Sequence, residues 1–310
     1  MDAPNPFTER GVIKDPKRFF GRKRELKQIF ERLAAMQSVS IVGERRTGKS
    51  SLLEIIAATG SDRLGNDSEF HYIDLERVES TEDFVARALD ALAAEGQTLR
   101  DLERAIEQRK AILCLDEFEQ SGDFSKEFFG ALRSLASTGH LALVVASQSK
   151  LADLASEGIT TSPFFNIFTT LHLGDLTEEE SGELLNGLGQ PAGREFSPDE
   201  VRAAYRETGG NPWRLQIFGY HLFGTNSLTE AIRRYQEELA SYNNAPNAMR
   251  PARAGRETTR LSSVLLVAAA LIGFISMVFN FGAGMLLMLA LTLASFLLEG
   301  WRGLRQRGAN

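Results

Sequence analysis

Two groups of residues in this sequence carry chemistry. In Gly43-Glu44-Arg45-Arg46-Thr47-Gly48-Lys49-Ser50-Ser51, two glycines bracket four residues and lead into Lys and Ser, the spacing G-x-x-x-x-G-K-[ST]. Such glycines let the backbone curl so that successive N–H groups, and the N-terminus of a helix from about Lys49, face an anion. Lys49 would then reach the β- and γ-phosphates of a nucleoside triphosphate as a point charge. The Ser50 hydroxyl would take one position on a Mg²⁺ ion that keeps most of its waters. A chance glycine-rich turn is the bland alternative. The apolar run 38–42 before the loop, and Leu52, Leu53, Ile55 and Ile56 after it, weigh against that.

The second group is Asp116-Glu117, delivered by the apolar run Ala111-Ile112-Leu113-Cys114-Leu115. Ligands of parallel sheets bind at the carboxyl ends of strands, where this run would leave two adjacent carboxylates. Asp116 suits a Mg²⁺ partner reached through water, and Glu117 suits the group that orients and deprotonates an attacking water. Strands ending in solvated acids are common, so it is the phosphate loop upstream that favours the catalytic reading. A third polar cluster, Ser147-Gln148-Ser149-Lys150, follows the run 141–146. Ser147 and Gln148 are the candidates there for sensing a γ-phosphate, and ordinary loop polarity accounts for them equally well. Cys114 reads as a small core residue rather than a redox group.

These groups need a scaffold. Runs at 38–42, 70–75, 111–115, 141–146 and 167–173 alternate with helical stretches such as 81–95 and 125–136, which predicts a parallel five-stranded sheet covered on both faces. Before it, residues 1–20 hold Pro4, Pro6 and Pro16 and read as an extended arm. Leu26, Ile29, Phe30 and Leu33 then recur at helical spacing. From Leu176 the chain turns helical and acidic, with starts at Thr177 and Ser197, a break at Gly209–Arg214, and helices over 215–223 and 228–242. The expected organisation is arm 1–24, α/β core 25–175, helical lid 176–244, linker 245–260, apolar hairpin 261–301 and tail 302–310.

Composition sets further bounds. Residues 1–245 hold 28 basic and 39 acidic side chains, net −11, which argues against a nucleic-acid groove. Residues 246–310 hold seven Arg and two Glu, net +5. One cysteine allows no intrachain disulfide and fits a reducing compartment. The opening Met-Asp-Ala-Pro-Asn-Pro-Phe lacks the apolar core of a secretory signal, so the nucleotide-binding part is expected in the cytoplasm.

Residues 261–298 form 38 consecutive positions without a charge. As one helix they would run about 57 Å, nearly twice a hydrocarbon core of about 30 Å. Two transmembrane spans fit better, broken at Asn280-Phe281-Gly282-Ala283-Gly284. The second is short unless it begins near Phe281 or extends to Trp301. Arg253, Arg256 and Arg260 precede the stretch and Arg302, Arg305 and Arg307 follow it, which puts both flanks on the cytoplasmic side of a plasma (inner) membrane. A buried hairpin of a soluble domain is disfavoured by the lack of a polar face.

With these pieces in order, the chain resembles the STAND group of AAA-like P-loop ATPases and the related archaeal-type and origin-recognition branches. The matching residues are Asn5-Pro6-Phe7, Phe20-Gly21-Arg22-x-x-Glu25-Leu26, the loop GERRTGKSSLL, the strand ILCLDE, Ser162-Pro163-Phe164-Phe165-Asn166 and Gly209-Gly210-Asn211-Pro212. The resemblance covers about residues 5–225. It implies ATP with Mg²⁺, a sheet in which the Ser147 strand lies between the two motif strands, and adenine near Gly21-Arg22 and Pro212. It also implies a lid sensor's part for Arg214; a homo-oligomer is expected, and Arg133 is the candidate for an arginine finger supplied by a neighbouring copy. The sequence departs from many such proteins in showing no C-terminal repeat array and no room for a complete winged-helix domain between residue 244 and the apolar stretch. A membrane-anchored ATP switch, acting at the membrane in defence or stress signalling, is the favoured expectation. A tethered ATPase motor or chaperone-like factor with a passive anchor is the alternative, ahead of an origin-recognition-like DNA binder.

Overall fold

All five apolar runs enter one sheet. The structure is a computed structural model that describes residues 4–65, 68–151, 163–225 and 227–244. Strands β1 (Ser38–Val42), β2 (Glu69–Asp74), β3 (Ala111–Asp116), β4 (Leu141–Ser147) and β5 (Phe168–His172) are parallel, in the order β2-β3-β4-β1-β5. The strand ending in Ser147 therefore lies between the strands that carry the two motifs, as the resemblance implies.

Successive side chains of a strand face opposite sides, so β3 and β4 feed two cores. Leu113, Leu115, Leu143 and Val145 pack with α3 (Thr81–Ala91), α4 (Leu99–Glu107) and α5 (Lys126–Ser137). Ile112, Cys114, Val144 and Ala146 pack with α1 (Lys23–Ala34) and α2 (Lys49–Leu64) on the other face. Cys114 is fully buried there, and burial pushes its thiol pKa up, which keeps it from reacting.

Helix α4 lies in a stretch, 96–110, to which the sequence reading assigns no element, while that reading runs one helix from 81 to 95. The chain instead leaves α3 at Ala91, because Ala93 (φ 48°) and Gly96 (φ 136°) turn left-handed. A new helix then starts at a reciprocal cap: Asp101 N–H donates to Thr98 Oγ1 at 3.3 Å and Thr98 N–H to Asp101 Oδ2 at 3.0 Å.

Four helices make the lid: α6 (Glu178–Gly189), α7 (Pro198–Thr208), α8 (Pro212–Phe223) and α9 (Leu228–Asn244). Helix α8 starts three residues earlier than the sequence reading places it. Proline is tolerated in a first turn, and Asn211 caps the helix by accepting from Arg214 N–H at 3.2 Å.

The arm is built into this assembly. Phe7 is fully buried in the lid core, 5.9 Å from the Phe196 ring and 6.2 Å from Phe223. Asn5 Nδ2 donates to Tyr220 O at 2.8 Å. Further along, Ile13 N–H donates to Ser51 Oγ at 2.9 Å and Lys14 pairs with Glu54 at 2.8 Å, before a short 3-10 turn at Pro16–Arg18. Arm, core and lid are thus joined at both ends of the same 10-residue stretch.

The chain divides into two compact units, residues 1–240 and 241–310, and the sheet, its covering helices and nearly all of the lid belong to the first. Among the described residues no helix is long and apolar enough to cross a membrane. The expected linker, hairpin and tail lie outside the described residues.

Candidate nucleotide site

The loop after β1 is shaped by contacts only glycine permits. Gly43 N–H donates to Ser147 O at 3.2 Å, and a Cβ at Gly43 would fall 2.5 Å from Leu173 O. Thr47, buried, donates its hydroxyl to Glu44 O at 2.9 Å and closes the turn. Arg46 (φ 65°) and Gly48 (φ 93°) are left-handed and swing the chain into α2. For Arg46 that conformation is strained, the kind of backbone cost found at ligand clamps. The first helical bond is Leu52 N–H to Gly48 O at 2.9 Å, so the amides of Lys49, Ser50 and Ser51 precede it and α2 presents a positive dipole end.

Lys49 Nζ donates to Gly43 O at 2.8 Å and Glu44 O at 2.9 Å, using two of an ammonium's three donors. Burial pulls its pKa below the ordinary lysine value, while Glu117, Glu119 and Asp116 act against that shift. The lysine and the carboxylates of the second motif therefore share one field. Ser50 is half-buried in the first turn of α2. Ser51 is turned to the arm, its hydroxyl accepting from Ile13 N–H.

Asp116 ends β3 and is 4% exposed. Its Oδ2 accepts from Tyr72 Oη–H at 2.8 Å and its Oδ1 from Glu117 N–H at 3.0 Å, so both oxygens are oriented and each keeps a lone pair. Glu117 has φ 50°, a second strained residue. Burial first, then the like charges of Glu119 and Asp116, raise its carboxyl pKa above the ordinary value. A carboxyl so tuned suits a general base.

At the end of β4, Arg45 Nε donates to Gln148 Oε1 at 3.2 Å, and Gln148 N–H donates to Glu119 Oε1. Loop, third strand and fourth strand are tied at one edge by this relay. Ser147 is 1% exposed and its hydroxyl donates to Ser149 O at 2.7 Å, within its own turn.

Arm and lid close on the loop from the other side. Arg22, left-handed and 4% exposed, donates to Thr47 O at 3.1 Å and to Gly174 O at 2.6 Å, beside Glu25 at 3.4 Å. Its N–H donates to Glu180 Oε1 of α6 at 2.7 Å, and a Cβ on Gly21 would lie 3.2 Å from Glu180 Cβ. Arg22 therefore acts as a tie between loop, β5 exit and lid. A Cβ at Gly48 would lie 3.8 Å from Pro212 Cγ, and the Arg46 guanidinium lies over the Trp213 ring.

Arg214, expected in a lid sensor's part, stands on α8 just after Pro212. Two residues beyond Pro212 along a helix is about 200° around it. Arg214 is exposed there, and its charge is felt by Tyr235 of α9. Trp213 makes a contact with the loop, through Arg46. Arg133 is exposed on α5. Tyr72, Glu119, Glu180 and Trp213 are site-ordering residues that the sequence reading omits, since none belongs to a spaced motif. A cleft of about 520 Å³ opens beside the Arg22 tie, along the far half of α2, lined by Phe19, Phe20, Gly21, Ile55, Thr59 and Asn186.

The parallel sheet agrees with what comparison with known proteins finds. The model of the family described as novel STAND NTPase 1 matches residues 6–250. No curated protein matches the chain by sequence. Among solved structures, the chain is similar to a Walker-type ATPase of Pyrococcus abyssi, with TM-score 0.60 and 17% identity over 86% of this chain and 81% of that one. It is also similar to the ORC2 protein of Aeropyrum pernix, solved in ADPNP–ADP complexes, with TM-score 0.58 and 14% identity over 76% and 72%. The ORC1 protein of the same organism, solved in complex with DNA, gives 0.53 and 14% over 88% and 86%. At these identities the likeness is one of fold.

Proposed function

This chain belongs to the novel STAND NTPase 1 family, and on that premise we propose that it is an ATP-operated switch that hydrolyses ATP slowly. The observation that supports this is the glycine-bounded loop, with Lys49 on the Gly43 and Glu44 carbonyls at 2.8 and 2.9 Å, at the same end of the parallel sheet as Asp116, the last residue of β3. The phosphates lie against the loop amides and the N-terminus of α2, with Lys49 on the β- and γ-phosphates. Ser50 and Asp116 would hold Mg²⁺, and the oriented lone pairs on Asp116 fit such an ion. When bound, that ion supplies charge neutralisation between phosphate oxygens.

Glu117 holds the attacking water and takes its proton, and its raised pKa brings it nearer to neutral pH as a base. Of the two γ-phosphate sensor candidates, Ser147 and Gln148, the contacts of Gln148 with Arg45 and Glu119 support Gln148, since the Ser147 hydroxyl is used within its own turn. Arg22, Pro212 and Trp213 then transmit occupancy to the lid. ATP binding holds arm, loop and lid together and promotes assembly of copies of the chain, and hydrolysis resets it.

The 38 uncharged residues 261–298, with Arg on both flanks, support a transmembrane hairpin as the output, with the ATPase part on the cytoplasmic face of the inner membrane. The net −11 of residues 1–245 speaks against nucleic acid as the partner.

Phosphate release from ATP and Mg²⁺ by the full chain in detergent tests the reading, with Lys49→Ala beside it. Wild type is expected to bind and turn over ATP, and Lys49→Ala to lose most affinity, because the phosphates then keep only backbone donors and Mg²⁺. An unchanged ATP dissociation constant in Lys49→Ala would remove the loop as the site.

A further inference from the structure

The phosphate loop carries two adjacent arginines that are engaged differently. Arg46 lies over the Trp213 ring of the lid. Arg45 is exposed, and its Nε donates to Gln148 Oε1 at 3.2 Å. That bond uses one of a guanidinium's five donors, and the rest meet no hydrogen-bond partner among the described residues. The acceptor is a neutral amide, so it leaves the charge of Arg45 uncompensated. Arg22, beside the same loop, is by contrast buried and donates to the carbonyls of Thr47 and Gly174.

Topology gives the side of the loop to which Arg45 turns. Gln148 directly follows β4, which lies between β1, the strand that feeds the loop, and β3, the strand that delivers Asp116 and Glu117. Gln148 N–H is itself held by Glu119 Oε1, two residues beyond Glu117. The Arg45 guanidinium is therefore drawn to the edge of the loop that faces the paired carboxylates. The field at Lys49 agrees with this placement. Burial is the main cause of the lowered Lys49 pKa, and the positive charge of Arg45 adds to it, so the guanidinium stands within reach of the ammonium assigned to the β- and γ-phosphates.

We propose that Arg45 is a catalytic arginine that the chain supplies to its own nucleotide, leaving Gln148 for the γ-phosphate when ATP binds. The proposal rests on the nucleotide site argued above. In hydrolysis the water oxygen bonds to the γ-phosphorus and its proton passes to Glu117. The bond from that phosphorus to the β–γ bridging oxygen breaks, and its electron pair stays with ADP as inorganic phosphate departs. Negative charge grows on the bridging oxygen beside the charged γ-oxygens, and a planar fork of N–H donors spans these atoms where the point charge of Lys49 meets them singly. A bond between ionised donor and ionised acceptor is stronger than the one Arg45 makes with an amide, so the phosphate displaces Gln148. An exposed side chain with one neutral partner has little to give up on moving.

Single-turnover hydrolysis of ATP with Mg²⁺ by the full chain in detergent, beside titrations with ATP and ADP, tests this in wild type, Arg45→Ala and Arg45→Lys. Arg45→Ala is expected to bind ADP as wild type does, to keep ATP affinity within about 10-fold, and to split ATP about 1,000-fold more slowly, the low end of what an arginine finger supplies. Arg45→Lys keeps the charge without the fork and should regain only part of the rate. Mixing Arg45→Ala with Lys49→Ala before ATP is added finds the source of the arginine, since the first holds ATP and the second brings Arg45 without holding ATP. Turnover no higher than the sum of the two alone is expected. Recovered turnover in the mixture would overturn the assignment in favour of an arginine from a neighbouring copy. Wild-type turnover in Arg45→Ala, with ATP bound, would overturn it and leave the phosphate site standing. A wild type that bound ATP without splitting it would remove the hydrolysis and the arginine together, and one that failed to bind ATP would remove the site as well.

Discussion

The guanidinium of Arg46 lies 3.7 Å from the centre of the Trp213 ring, so phosphate loop and lid meet through a cation on an aromatic face. Arg46 reaches it from a left-handed backbone, which places the strain of the loop at the residue that touches the lid. A contact of this kind is worth about 0.5–2 kcal/mol. Trp213→Ala should weaken ATP binding by roughly 3–30-fold through looser lid closure. Titration with ATP and tripolyphosphate checks it, and an equal dissociation constant in the variant would mean that the pair does not govern the lid.

Glu117 is expected to separate binding from turnover. Glu117→Gln should bind ATP as wild type does and slow hydrolysis by about 100–10,000-fold. The sign of the pH effect follows from its raised pKa: protonated Glu117 cannot accept a proton, so turnover rises as pH rises through a value above the ordinary 4.5. Steady-state rates against pH should show that limb in wild type and not in the variant. Wild-type turnover in Glu117→Gln would withdraw the assignment.

Tyr72 holds Asp116 by a 2.8 Å hydrogen bond from the neighbouring strand. Tyr72→Phe removes the donor and little volume, at a net loss of about 1 kcal/mol. The Mg²⁺ concentration for half-maximal turnover should rise by roughly 3–10-fold, while ATP affinity without Mg²⁺ stays the same. An unshifted Mg²⁺ requirement would show that Asp116 needs no such support.

What could be read from the chain, and what could not, divides along the range of the interactions. The strands were visible because β3 and β4 are buried on both faces and so appear as unbroken apolar runs. The loop and its lysine were visible because their chemistry is set by neighbours in sequence. Helix α4 escaped because its start depends on a Thr98–Asp101 cap after two left-handed residues, a feature of backbone angle rather than apolar period. Tyr72 with Asp116, Glu119 with Gln148 and Arg22 with Glu180 pair across 44, 29 and 158 residues, distances at which no spacing rule operates.

The proposed hairpin makes a topological prediction. With Cys114 replaced by Ser, single cysteines at Asn280 and Ala309 should differ in intact cells: a membrane-impermeant thiol reagent should label position 280 and spare 309. Labelling of both, or of 309 alone, would rule out the hairpin. Carbonate extraction of the full chain would rule out insertion altogether.

Phe7 sits against Phe196 and Phe223, 189 and 216 residues away in the chain. A ribosome adding 5–20 residues per second makes the ring roughly 10–40 s before the surface that receives it. For that interval the first aromatic side chain of the arm has no partner, and the last helices of the lid cannot complete their core without it. The lid should therefore consolidate late and all at once, after α8 is clear of the exit tunnel. A nascent chain stalled before that point should stay open to protease on both its arm and its half-made lid.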